Sequence, residues 1–571
     1  MKKARKGAVK SESKKGPANG GRRVPAGRAL RIALLLALNL GLLVVLWKVA
    51  SPRLQAESGR AELASAAIAT GSMVGSVAGS TIGGAISGPE PAPMANESRR
   101  DRALEGRIRA AIEEALAKAE RDSRGRARRA EMHVAVHVRT AADGTEIASI
   151  GAARAQRPAS NLKLVTTAAA LVLLGPDWSF RTAFTSDAAI EAGVLRGDLV
   201  VRAGGDPLYD PKTSGDVTQL LEPAISELKA AGIARIAGDL VLDEGRFLEP
   251  GPGPAWPAVG QHWSEFCALS GAFNANAGCL TARIVPTKVG HPARVEVRPI
   301  GHGLPTRIAV DTGKATSKLD VRVSAIGGTV IVEGSMPANV TAWECRFAAP
   351  DPVELFGGAL KHALAARGIA ITGSVRRARA TPKPTARPLA WIDTPILSVL
   401  EPINAHSNNA CADQLFLALG DAQFGAGDRS GGRQATSTAL RRLGVPDDGF
   451  QQVDGSGLSR ENHVSARQIT ALLAGVAHRG GRASDALRES MAAPRADGTL
   501  DDRLAGLEDR VRAKTGFIGG TSALSGLIDD ARGRRLAFSI LVEYPVVDGL
   551  NTSVWKPMQD RICRILAEGR E

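Results

Sequence analysis

The chain has 571 residues, 44% of them hydrophobic, and a formal net charge of +15. That length has room for several globular domains, and that apolar share excludes a wholly disordered polymer. The charge says little about nucleic acid: residues 1–50 hold twelve Lys and Arg against one acidic residue, so +11 of the +15 sits there, and the nearly neutral remainder interleaves no basic and aromatic residues into a nucleic-acid groove.

In chain order, the basic tail covers residues 1–31. An uncharged run follows from Ile32 to Trp47, then Lys48. Its sixteen residues are short of the roughly 20 that cross a bilayer. Arg31 and Lys48 can snorkel, however, and Val49-Ala50 prolong the segment. Lys48 also spoils a small-x-small cleavage site. Residues 32–50 therefore read as an uncleaved transmembrane signal anchor, with the body in the periplasm and the protein held in the inner membrane by that single anchor. Residues 51–100 are a flexible Ala/Gly/Ser/Pro linker, as in Pro89-Glu90-Pro91-Ala92-Pro93.

A helix is predicted over 101–121, where Leu104, Ile108, Ile112 and Leu116 recur every four residues. Strands at 132–139 and 145–150 flank an Asp143-Gly144 turn. Pro158 then introduces a helix, through Leu171, that is apolar nearly all round and so belongs at the centre of a domain. Strands at 180–186 and 193–202, a helix at 217–231 and a strand at 236–243 lead to short β runs at 281–285, 293–297, 306–310, 319–326 and 329–333. A helix at 352–368 and a strand at 369–376 follow. Further helices are expected at 396–420, 431–443 and 465–478. The chain closes with strands at 511–515, 522–529 and 535–543 and a helix at 558–566. Strands near both ends suggest one sheet completed by both, with the middle inserted.

The five cysteines have no metal-ligand spacing and no His-Glu-x-x-His occurs, so no metal or cofactor is expected. His133 and His137 share a strand face without a third ligand. Export leaves a Cys267–Cys279 bridge open beside the alternative of five free thiols.

Ser-x-x-Lys occurs four times: Ser11/Lys14, Ser160/Lys163, Ser226/Lys229 and Ser553/Lys556. The first lies in the charged tail, the third on a surface helix and the fourth in a predicted loop. Only Ser160 opens a buried helix, where Lys163 falls on the same face as a potential base for a weak nucleophile. Downstream come Ser407-Asn408-Asn409 and the single Lys-Thr-Gly, Lys514-Thr515-Gly516, at the end of a strand-like run. Each alone reads as a turn or strand end. In this order the three make the set of β-lactamases and penicillin-binding proteins.

The flanking text at 158–171, 204–207, 238–243, 349–352, 453–459, 497–500 and 513–526 resembles the D-alanyl-D-alanine carboxypeptidase/endopeptidase family, the low-molecular-mass class C penicillin-binding proteins. The resemblance covers about residues 105–571. It implies an α+β penicillin-binding/β-lactamase-like transpeptidase fold, split into residues 101–182 and 391–571 by inserted α/β and β-rich domains over 183–390, the β-rich part at about 258–340. It implies a serine DD-peptidase acting on peptidoglycan stem peptides and inhibited by β-lactams. Ser160 attacks, Lys163 takes its proton with its pKa lowered by burial and by neighbouring cations such as Lys514, and Ser407 relays a proton to the leaving amine. Asn409 binds the substrate amide, and Lys514, Thr515 and Gly516 frame the terminal carboxylate. The backbone N–H groups of Ser160 and Phe517 form the oxyanion hole. Asp243 resembles a family acidic position that meets an amine on the stem, against the alternative of a strand-end turn. Phe517 departs from the Thr or Ser usual after Lys-Thr-Gly. That leaves room for endopeptidase action, or for a weakly active homologue that binds wall peptide. A β-lactamase or esterase on the same fold is a further alternative, disfavoured by the large insertion.

Overall fold

The computed structural model describes residues 101–379 and 388–569. The tail, anchor and linker lie outside these residues. Among the described residues, no helix is long and apolar enough to cross a membrane.

One antiparallel sheet unites the two ends of the described chain. Its strands are β1 (His133–Thr140), β2 (Glu146–Ile150), β3 (Val511–Ile518), β4 (Thr521–Asp529) and β5 (Arg535–Glu543), in the order β2-β1-β5-β4-β3. The pairing of β1 with β5 joins segments about four hundred residues apart, His133 opposite Glu543 and Thr140 opposite Leu536. Side chains alternate between two cores, as the period of two requires. On β5, Leu536, Phe538, Ile540 and Val542 face one core, and Ala537 and Leu541 the other.

The first core is closed by α1 (Arg102–Asp122) and the C-terminal helix (Lys556–Glu568). The residues recurring every four along α1, Leu104, Ile108, Ile112 and Leu116, are all buried, and Asp101 caps the helix by accepting from the Leu104 N–H at 2.9 Å. The second core is floored by small residues, Ala135, Ala523 and Ala537, on which pack α2 (Leu162–Leu173) and the helix Ala466–Arg479. Small side chains let these helices approach the sheet closely, and that approach sets Ser160 beside β3.

Between Ser160 and Ser407 the chain builds separate sheets. A five-stranded one runs Val375–Ala378, Leu240–Asp243, Leu199–Arg202, Ser179–Thr185, Pro388–Pro395, its first three strands parallel. Helices Thr218–Ala230 and Pro352–Ala366 contribute to the same apolar cluster. Two three-stranded sheets occupy 279–348.

Several elements differ from expectation. The helix predicted at 396–420 is two, Ile396–Asn404 and α3 (Asn409–Phe424). The Asn408 side chain starts the second by accepting from Cys411 N–H, and Ser407 in the break has φ 62. The strand expected at 193–202 divides into Val194–Leu195 and Leu199–Arg202 around Gly197. Pro388–Pro395 was unmarked in the sequence because prolines bound it; it sits at a sheet edge, where proline is tolerated. The fourth Ser-x-x-Lys is not in a loop: Ser553 lies in a wide helical turn, and Lys556 opens the last helix. All five cysteines are free thiols.

Candidate active site

The segment Ala159–Asn161 is a single 3-10 turn that runs directly into α2. Ala159 has φ 47, a left-handed conformation that costs about 1–2 kcal/mol for a residue with a Cβ. Gly457, at φ +83, backs onto it: a Cβ there would lie 1.9 Å from the Ala159 carbonyl oxygen. The turn is thus clamped between α2 and the 454–457 loop, and it holds Ser160 half-buried at the mouth of a cleft.

Lys163 lies one turn further on and is fully buried. Its Nζ donates to Ser160 Oγ at 3.1 Å, to Asn409 Oδ1 at 2.6 Å and to the Ser456 carbonyl at 2.7 Å. Burial pushes its pKa down to about 8, opposed by the nearby carboxylates Asp413 and Asp454. The base and the nucleophile are therefore in contact, and the base lies within reach of its neutral form near pH 8.

Ser407 lies in the break before α3, and Asn409 is the first residue of that helix. The left-handed backbone of Ser407 turns the chain so that both residues line the cleft with Ser160. Asn409 is held at both ends of its amide, its oxygen by Lys163 and its nitrogen by donating to the Phe266 carbonyl at 2.8 Å.

Strand β3 forms the opposite wall. It is an edge strand, joined to β4 by the two-residue turn Gly519-Gly520. In such a hairpin the flanking pair, Ile518 and Thr521, is hydrogen-bonded and the pairs alternate from there. The N–H and C=O of Phe517 and Thr515 consequently point away from β4, toward the cleft. Ala513, in the same phase, confirms the alternation by donating outward to the Ala492 carbonyl at 2.9 Å. Gly516 packs closely here: a Cβ would lie 3.0 Å from Asn161 Nδ2 and from the Pro158 carbonyl oxygen. That contact lets Asn161 Nδ2 donate to the Lys514 carbonyl at 2.9 Å and ties the nucleophile turn to the strand.

Lys514 is fully buried, and its Nζ donates to the Thr515 carbonyl at 2.9 Å. Burial holds its pKa well below the usual lysine range, with the Lys163 charge adding to the effect. The expected influence of Lys514 on Lys163 is not among the causes that shift Lys163, which are burial and the opposing charges of Asp413 and Asp454; the influence runs from Lys163 onto Lys514.

Two cavities meet at Ser160, Ser407 and Phe517. The larger, about 850 Å³, is walled by Trp256, Phe266, Leu458 and Arg460, with Glu265 as its acid. The smaller, about 440 Å³, lies past Thr515 and Gly516, against Thr499, Asn551 and Lys556. Phe517 is 57% exposed at their junction. Asp243 is not at either cavity: it ends a strand and accepts from the Gly245 N–H at 3.0 Å, as a turn aspartate does.

Several residues around the site left little trace in the sequence. Ser456 contributes a main-chain carbonyl, which no side-chain pattern reports. Asp413 looks like any polar residue of a helix, yet it is buried, and its Oδ1 accepts from the Gly455 N–H at 2.7 Å. Asp454 was legible only as part of a turn; its carboxylate accepts from Gly457 N–H at 2.8 Å and Ser459 N–H at 2.7 Å and so shapes the loop that clamps Ala159.

Comparison with known proteins places these features in a family. The model of the D-Ala-D-Ala carboxypeptidase 3 (S13) family matches residues 114–568. A D-alanyl-D-alanine carboxypeptidase of Actinomadura sp. (strain R39) is 30% identical over 452 residues, covering 75% of this chain and 80% of that one. The crystal structure of penicillin binding protein 4 (dacB) from Haemophilus influenzae shares the fold, with a TM-score of 0.64 and 24% identity over 79% of this chain and 97% of that one. A structure of the same protein complexed with a novel β-lactam aligns with a TM-score of 0.59 and 23% identity, covering 78% and 97%.

Proposed function

The chain belongs to the D-Ala-D-Ala carboxypeptidase 3 (S13) family and is a serine DD-peptidase; on that premise we propose that Ser160 is its nucleophile, acting on D-alanyl-D-alanine bonds of peptidoglycan stem peptides. The observation that carries this reading is the contact between Lys163 Nζ and Ser160 Oγ at 3.1 Å, inside a buried site that lowers the lysine pKa.

The stem peptide lies along the free edge of β3, its backbone meeting the outward groups of Thr515 and Phe517. Ser160 Oγ attacks the carbonyl carbon while neutral Lys163 takes the hydroxyl proton. The oxyanion is held by the main-chain N–H groups of Ser160 and Phe517, a pair whose individual loss typically costs ~3 kcal/mol. Phe517 keeps that N–H whatever its side chain. The C–N bond then breaks, and the proton passes from Lys163 through the Ser407 hydroxyl to the departing amine. Water attacks the acyl ester, gives its proton back through the same groups, and releases the acid and free Ser160. Asn409 orients the substrate amide from its fixed position between Lys163 and Phe266. Thr515 and Gly516 line the carboxylate end, with Lys514 buried behind them.

The site continues on both sides of Ser160, which suits both a single leaving D-alanine and a leaving residue within a longer wall peptide, and so both carboxypeptidase and endopeptidase action. A penicillin acylates the same serine and leaves it slowly. The basic tail and anchor hold the catalytic body on the periplasmic side of the inner membrane, reached through the linker.

The test is labelling of the full-length chain with a fluorescent penicillin, alongside D-alanine release from a pentapeptide. Label and release on the wild type, both absent from folded Ser160→Ala, are expected. A folded wild type that takes no label would overturn the peptidase reading, and label persisting in Ser160→Ala would move the nucleophile elsewhere.

A further inference from the structure

The serine of the fourth Ser-x-x-Lys has no part in the cleft: Ser553 is exposed and donates to Asp122 Oδ2 at 3.4 Å. Its lysine does reach the site. Lys556, on the first turn of the last helix, lines the 440 Å³ cavity together with Ser160, Ser407, Thr515 and Phe517.

Every productive D-alanyl bond carries a carboxylate on the carbon next to the leaving nitrogen. A site for it needs cationic or hydroxyl donors on the leaving side of Ser160, and three candidates there are compromised. Position 517 presents a phenyl ring instead of a hydroxyl. Lys514 is fully buried, donates to its neighbour's carbonyl, and is held below the usual lysine range by burial. Arg503, the cavity's other cation, is 6% exposed and already spent on Asp560 at 2.6 Å and Gln559 at 3.1 Å.

Lys556 is half-buried at the cavity wall. Its carbonyl accepts from Arg503 Nη2 at 3.3 Å, while its ammonium pairs with no carboxylate among the described residues. Asp501 and Asp502, both exposed, also line the cavity. Two further lining residues each carry a buried polar atom without a hydrogen-bond partner, Thr499 Oγ1 and Asn551 Oδ1; the second only accepts and offers a carboxylate nothing. The Thr499 hydroxyl with a spare proton and the Lys556 ammonium with three make a carboxylate receptor.

We propose that Lys556 binds the carboxylate of the leaving residue, with Thr499 and Thr515 as hydroxyl donors, and so fixes specificity in place of the hydroxyl lost at position 517. This rests on the peptidase reading above. Lys556 takes no proton in the reaction. It positions the scissile bond by holding its far end.

Steady-state kinetics on the full chain test it, with two peptides that differ only in a free or an amidated C-terminal carboxylate. Lys556→Met is expected to raise KM for the free acid about tenfold to a hundredfold, the range that loss of a charge-assisted hydrogen bond gives, with kcat nearly unchanged. The amide, already poor with the wild type, is expected to lose nothing further. Lys556→Arg is expected to restore most of the free-acid KM. An unchanged KM in Lys556→Met, or an equal loss on acid and amide, overturns the proposal, the second outcome marking a purely structural role. If the wild type itself neither takes penicillin nor cleaves the free acid, the peptidase reading fails instead, and the two failures are told apart by that control.

Discussion

Two Ser-x-x-Lys quartets reach the same cavity and are built oppositely. In Ser160/Lys163 the lysine is fully buried, its three protons are directed at named acceptors, and its serine sits on a clamped, left-handed approach. In Ser553/Lys556 the serine is exposed, and the lysine is half-buried and lines the cavity. Spacing is common to both, so spacing does not make a nucleophile. Burial makes the difference, because it lowers the charged lysine toward neutrality and fixes it against one hydroxyl. The second lysine has no hydroxyl held against it and lines a cavity instead, where it is suited to attract a carboxylate.

The largest effect expected to sharpen this contrast is Ser160→Ala, which should take penicillin acylation to background, a loss on the order of 10⁴-fold or more. Lys163→Met should follow at about 10²–10⁴-fold, the usual contribution of a general base. The sign of the pH dependence is fixed by the same lysine. It acts only when neutral, and its pKa lies at about 8, so the acylation rate should rise with pH through about 8 and level off above it. A rate that falls across that interval would mean that the reactive form keeps the proton on Lys163.

Gly457→Ala is expected to act one level down, on the clamp. The new methyl would meet the Ala159 carbonyl at 1.9 Å, at a φ that disfavours any side chain. Overpacking of this kind costs about 1–3 kcal/mol. The melting temperature should drop, and acylation should slow as Ser160 moves off Lys163. A variant that melts lower but acylates at the wild-type rate would show that the clamp serves stability alone.

Asp413→Asn is subtler. Its buried carboxyl is pushed up to about 7, chiefly by burial, and its charge raises the pKa of Lys163. Removing that charge should move the midpoint of the acylation profile to lower pH while leaving the plateau rate within a few fold. A midpoint that stays put would assign the proton balance of Lys163 to Asp454 and the carbonyl contacts.

These residues also mark how far the sequence could be read. The period of four in α1, the apolar run after Ser160 and the order of the three motifs exposed the core sheet, the buried helix and the family, because periodicity and side-chain chemistry are local. The break at 405–408 was hidden, since Ile396 to Gly420 is apolar enough for one continuous helix and only the Asn408 cap and the φ of Ser407 reveal two. Ser456 and the outward N–H of Phe517 act through the main chain, which any residue supplies. Lys556 is silent for another reason: its function depends on a cavity built by segments more than fifty residues away at Thr499 and Ser407 and nearly four hundred away at Ser160.

The smallest expected effect tests the comparison most directly. If the two quartets differ as argued, Ser553→Ala should change nothing that the cleft does. Its hydroxyl makes one exposed hydrogen bond, at 3.4 Å to Asp122, a side chain already engaged by Lys118 in an i,i+4 pair. Stability should shift by no more than about 0.5 kcal/mol, as for an ordinary surface change, and penicillin acylation, D-alanine release and the KM for a free-acid peptide should match the wild type. Loss of activity in Ser553→Ala would mean that the second quartet works as a unit, with the serine orienting Lys556 through the turn between them. Retained activity, beside a raised KM in Lys556→Met, would separate the two residues: one lysine of functional consequence, standing three places after a serine by coincidence of sequence.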